Sequence, residues 1–258
     1  RESPELLPVR LLAKRREIPP LEKRDDLYTE YITLLNMNGE YDNAYNRIMN
    51  HNFHPWEGGE GKIPAQYRIA LINKAKAEKN TEKNTEKAIE YLEKALVYPY
   101  NLGEGKLIGN MDNDIYYMLG NLYEDKEKSE QAYRLAARGE FNISSAMYYN
   151  DQPPQMMYYA AKAIEALGDK DEAKKRFNAF IEYANNHMND EMKIDYFAIS
   201  LPDFLIFEGD LNKNNKVHCN LMAALGYLGI GDNDNAKKYA KQGLELNQCH
   251  AELRDIVK

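Results

Sequence analysis

The sequence predicts an all-α chain, a right-handed solenoid of about five helix pairs. Three observations carry this reading. Small residues recur at Ala44, Ala88, Ala132, Ala173 and Ala236, each inside an amphipathic helical phrase where a paired helix can approach closely. No stretch alternates apolar and polar residues as a half-buried strand would. A loop phrase is also written twice, as Pro55-Trp56-Glu57-Gly58-Gly59-Glu60-Gly61-Lys62 and Pro99-Tyr100-Asn101-Leu102-Gly103-Glu104-Gly105-Lys106. A repeated loop on a repeated helical frame implies two copies of one unit, stacked with their loops on one edge.

Taken in order, residues 1–22 carry four prolines and mixed charge, with Leu6, Leu7, Leu11 and Leu12 available to dock. They are expected to form a linker or the remnant of a preceding element, with the repeat array filling 23–258. Asp25 or Asp26 is expected to cap a helix that Gly39 stops near Asn38, and a partner helix follows from Glu40 to about Asn50. The third helix spans Pro64 to Lys79, since proline is tolerated in a first turn. Lys-Asn-Thr-Glu then occurs twice in tandem, reading as a lengthened polar turn. Thr85 opens the helix carrying Ala88, Leu92, Ala95 and Leu96. A third pair holds Tyr116 and Ala132, and a fourth holds Met157 to Gly168 with Ala173 and Phe177. Residues 190–215 read as a degenerate unit, with a helix to Ser200 broken at Leu201-Pro202. A last pair carries Tyr227 and Ala236, with a capping helix from Gln248.

Composition bounds the function. With 258 residues, 43% of them hydrophobic, and a net charge of −7, the chain reads as folded and acidic. That balance argues against nucleic acid, whose phosphates need a basic surface. The longest apolar run, Leu221 to Ile230, is about ten residues and too short to span a bilayer. Cys219 and Cys249 do not make a disulfide framework, and reduced thiols in the cytoplasm are the expectation. Twenty tyrosines against seven phenylalanines and one tryptophan suit a groove that needs both ring faces and polar rims.

Tyr116, Leu119, Gly120 and Tyr123, followed by Ala132, resemble the tetratricopeptide repeat, whose small residue admits the paired helix while the large ones fill beside it. A narrower resemblance rests on His54 to Lys62, Asn101 to Leu107, Asp195-Tyr196-Phe197-Ala198-Ile199-Ser200-Leu201-Pro202-Asp203 and His218-Cys219. These phrases are similar to the C-terminal tetratricopeptide half of a family of uncharacterised bacterial proteins that also carry an N-terminal β-sandwich of sugar-enzyme-like character. The resemblance implies an array that acts with a carbohydrate-related module; it assigns no catalytic residue.

Two surfaces are candidate sites. At the doubled loops, Trp56 and Tyr100 offer ring faces, Glu57, Glu60 and Glu104 offer acceptors for hydroxyls, and Lys62 and Lys106 offer cations. The arrangement suits a sugar or a small anionic ligand. The plainer reading is a tight turn that needs glycine. A third reading, a glycoside-processing enzyme, would use Glu60 and Glu104 as paired carboxylates. On the repeat register, Asp114, Tyr117 and Asn121 share the inner face with Tyr158 and Lys162, a polar, tyrosine-bearing groove for a protein or peptide partner. Several chemistries are excluded. Ile63 and Leu107 stand where a phosphate-binding loop needs Ser or Thr. In the stretch opening at Asp210, Asn215 and Leu221 replace the glycine and glutamate of a calcium loop. His51 and His54 would share a metal only on a continuing helix, which Pro55 opposes. The pairs His218-Cys219 and Cys249-His250 diverge on helices, as buried thiols and capping histidines do. No cofactor, metal or catalytic residue is therefore expected, and the protein reads foremost as a binding or scaffolding module.

Overall fold

The structure is a computed structural model that describes residues 21–54, 56, 58–79, 84–107, 110–145, 152–193 and 210–258. Its described residues form eleven α-helices and no strand. They are α1 (Asp25–Met37), α2 (Tyr41–Met49), α3 (Lys62–Lys79), α4 (Thr85–Ala95), α5 (Asn113–Leu122), α6 (Lys126–Ala136), α7 (Pro154–Ala166), α8 (Lys170–His187), α9 (Leu211–Gly229), α10 (Asn233–Leu246) and α11 (Ala251–Val257). The all-α repeat fold is as the sequence predicts. Residues 1–20 of the linker expected over 1–22, residues 80–83 of the tandem turn and residues 194–200 of the helix expected to reach Ser200 lie outside the described residues. Helix α9 already begins at Leu211, inside the stretch expected to be degenerate.

The chain divides into two compact units, residues 2–110 and 111–258. In the first, α1 packs on α2 and α3, and α3 packs on both α2 and α4. In the second, each of α5 to α10 packs on the next, and α5, α7 and α9 also meet the next helix but one. Neighbour-and-next-neighbour contact is what a stack of helix pairs produces, because each pair buries its apolar face against the following one.

The sequence explains where helices start. Asp125, Asp169, Asp210 and Asp232 are N-cap residues, and each carboxylate accepts from a backbone N–H of the first turn at 2.9–3.1 Å. Each satisfies donors that the helix itself leaves open. The first helix departs from this rule. Its N-cap is Arg24, with no side-chain capping bond, and Asp25 is turned to another task described below.

The alanines that set the register are all buried: Ala44, Ala88 and Ala236 fully, Ala132 and Ala173 within a few per cent. Gly120 lets α6 come close, since a Cβ there would stand 2.6 Å from the Tyr133 ring. In the second unit Phe177 and Phe180 of α8 join Met222, Ala223 and Ala224 of α9 in one core. Gly229 admits the Phe177 ring, whose carbons stand 2.2 Å from where a Cβ would sit, and Gly226 lies close against Ile181 and the Phe177 carbonyl.

Candidate functional site

The doubled loops lie side by side in the first unit, joined by two polar clasps. Asn101 reaches back to the end of α2, donating from Nδ2 to the carbonyls of Ile48 at 2.7 Å and His51 at 2.9 Å. Its own carbonyl accepts from the N–H of Phe53 at 2.8 Å. Glu104 then accepts from the N–H of Gly61 at 2.7 Å, through Oε2. Gly61 immediately precedes α3, so this carboxylate sits at the positive end of a helix.

The two copies share a frame without sharing a backbone. In the first, Gly58 and Gly61 have φ of +79° and +74°. Gly59 is buried under the indole of Trp56, where a Cβ would lie 2.0 Å from Cε2. Each glycine of that loop therefore has its own reason, two for left-handed backbone and one for close approach. In the second copy only Gly103 has positive φ, at +73°, closing the short 3-10 turn Tyr100–Leu102. A Cβ at Gly105 would meet nothing.

The seven side chains expected here are dispersed in role. Glu104 is half-buried and bonded to Gly61. Lys106 donates to the Leu96 carbonyl at 2.7 Å and lies over the Tyr98 ring at 5.6 Å. Glu60 and Lys62 are exposed, and Tyr100 is fully so. Trp56 is half-buried on Gly59. Glu57 lies outside the described residues.

A feature the sequence reading missed adjoins the first loop. Asp25, in the first turn of α1, holds both histidines. Its Oδ1 is 2.7 Å from His51 Nε2, and its Oδ2 accepts from the N–H of His54 at 2.7 Å and lies 3.2 Å from His54 Nδ1. Burial opposes its charge, but the bonds from His51 and His54 win and hold the carboxyl below the usual aspartate value. His51 is packed between Tyr28 and Phe53, at ring distances of 4.8 and 4.6 Å. The available signal was an aspartate at a helix start facing two histidines just past the next helix end; helix-cap statistics hid it.

In the second unit, Tyr117 of α5 meets Tyr159 of α7 at 5.6 Å and Tyr133 of α6 at 5.9 Å. Asn121 is exposed, and its Oδ1 accepts from the Tyr133 hydroxyl at 3.2 Å. Tyr158 turns toward Phe177 at 5.7 Å, so its neighbour Tyr159 is the ring that spans the helices. Asp114 is buried and its Oδ1 accepts from the N–H of Ile115 at 2.8 Å. Lys162 is ion-paired with Glu165. Burial foremost, then the carboxylates of Asp114 and Asp255, push the Tyr159 hydroxyl far above the usual tyrosine value. Among the described residues, no group of three or more His, Cys, Asp or Glu is placed to hold a metal ion. No described helix is long and apolar enough to cross a membrane.

The tetratricopeptide repeat family matches residues 114–135, which span nearly all of α5 and α6, and 217–248, which span most of α9 and all of α10. This chain contains tetratricopeptide repeats. Repeats of this kind generally mediate protein interaction or scaffolding.

Proposed function

We propose that the chain is a binding or scaffolding module whose partner is a protein or peptide segment met on the face shared by α5 and α7. The observation that carries this is the Tyr117–Tyr159 ring pair, which joins two successive first helices of the repeat register at 5.6 Å beside exposed Asn121. Tyrosines give contact area with little rotamer entropy to lose, and amide side chains beside them grip a passing backbone. The chain carries a net charge of −7, so the favoured segment is one bearing lysine or arginine. The sugar-enzyme-like family resemblance supports a setting in carbohydrate metabolism, with the cytoplasm as the proposed compartment. The acidic balance of the chain argues against a nucleic-acid partner.

A peptide array probed with the purified protein tests this reading. Retention of basic peptides by the wild type, lost in the Tyr117→Ala, Asn121→Ala double variant at unchanged circular dichroism, is the expected result. Equal retention by the variant would remove the groove from the account.

A second reading, a sugar or small anion bound at the doubled loops, is supported by the clasps that bring those loops together. Its variant is Glu60→Ala, Glu104→Ala, which leaves the tyrosine face untouched.

A further inference from the structure

Away from the contact between the doubled loops, a cleft of about 710 Å³ opens between residues 22–26 and the side chains of His51, His54 and Trp56. Its volume falls within the usual range for small-molecule sites, roughly 300–1,000 Å³. Three features give it a chemistry.

The first is an oriented imidazole. Asp25 engages both the backbone N–H and Nδ1 of His54, fixing the ring. A carboxylate only accepts, so Nδ1 carries a proton, and in the neutral ring the opposite nitrogen, Nε2, holds the lone pair, on a side chain that is 84% exposed. The second is a seated indole. Trp56 rests on Gly59, where no other residue leaves room, and it lines the cleft. The third is balance of charge. Glu22, Asp25 and Asp26 stand against Lys23 and Arg24, and Arg24 is already spent on Asp26 through two bonds of 2.9 and 2.7 Å. Such a wall holds donors and acceptors without a strong field of either sign, so neither a phosphate nor a cation is singled out. A flat apolar ring face beside interleaved donors and acceptors matches a neutral ring that is apolar on one face and hydroxyl-rimmed at its edge.

We propose that this cleft is a saccharide-binding site, in which Trp56 takes the apolar face of a sugar ring and His54, held by Asp25, accepts a hydrogen bond from a hydroxyl. The site shares Trp56 with the doubled-loop reading but uses neither Glu60 nor Glu104, and it is independent of the tyrosine face.

Trp56 is the single tryptophan of the chain, so its emission reports on this cleft without a label. The wild-type protein is titrated with glucose, galactose, mannose, N-acetylglucosamine, maltose and cellobiose to about 50 mM, a range that captures millimolar affinity. The expected result is a saturable emission change with at least one sugar. His54→Ala should weaken it about tenfold, the order expected for one lost hydrogen bond. Gly59→Ala should weaken it too, by unseating the indole. Circular dichroism confirms that each variant is folded, and calorimetry repeats the measurement without the fluorophore. The proposal is overturned if no sugar gives a saturable response by either method, if His54→Ala binds as tightly as wild type, or if inorganic phosphate saturates the same change. Loss of binding in Glu60→Ala, with His54→Ala binding as the wild type does, would place the ligand at the doubled loops and overturn it as well.

Discussion

The carboxylate of Glu104 accepts a hydrogen bond from the backbone N–H of Gly61 at 2.7 Å, joining the second copy of a duplicated loop to the first. The donor is an N–H at the start of α3 that has no partner within the helix, and the acceptor brings negative charge to the helix's positive end. With Asn101 holding the Ile48 and His51 carbonyls, the second loop clamps the first to its helix.

Removing that clamp should register as stability. Glu104→Ala is expected to cost about 1 kcal/mol, as a lost charged helix-end acceptor does, and Glu104→Gln less. Glu60→Ala, at the matching place in the first copy but exposed, should leave the thermal midpoint unchanged. Equal losses at the two positions would mean that the clamp contributes nothing.

Asp25 sets an acid limb. Its folded value lies below that of an unfolded aspartate, about 3.9, because the bonds from His51 and His54 outweigh its burial. A depressed carboxyl contributes stability that is present above the unfolded value and is lost as pH falls through the folded one. The wild type should therefore be more stable than Asp25→Asn at pH 7, and the gap should close on acidification below about pH 4. Thermal midpoints from pH 7 downward check this; a gap that holds constant throughout contradicts it.

The repeat register makes its own demand on the core. Ala132 is only 4% exposed on α6, so Ala132→Leu overfills the helix contact and should cost about 1–3 kcal/mol. Gly120→Ala drives a methyl into the Tyr133 ring and should destabilise as well. Chemical denaturation measures both, and an unchanged midpoint in either would place the small residues wrongly.

The two thiols should differ sharply. Burial, helped by the charge of Asp190, pushes Cys219 up to about 11, whereas Cys249 is half-buried. At pH 8 a disulfide reagent should titrate one thiol quickly in the native protein and the second only on unfolding. Two fast equivalents would show that the α9 core opens readily.

Much of the fold was legible because the repeat writes small residues at fixed places, and Ala44, Ala88, Ala132, Ala173 and Ala236 are buried where that register put them. In the second unit Asp125, Asp169, Asp210 and Asp232 cap helix starts, a use common for aspartate at such places. The loops were half legible. Glycines announce that the chain must bend, but a shared Gly-Glu-Gly-Lys frame does not show that Gly59 seats an indole while Gly105 touches nothing. The Asp25 clasp was hidden because an aspartate at a helix start has a commoner use. On the inner face a one-residue turn of the helix exchanges Tyr158 for Tyr159, a difference set by packing on Phe177 that spacing alone does not carry.

Hydrogen exchange with a basic peptide selected from the array tests the central claim most directly. The account predicts added protection concentrated in α5 and α7, at 113–122 and 154–166, and its loss when Tyr117 and Asn121 are alanine. Protection centred instead on residues 51–62 and 100–106, or on none of the repeat helices, would contradict it.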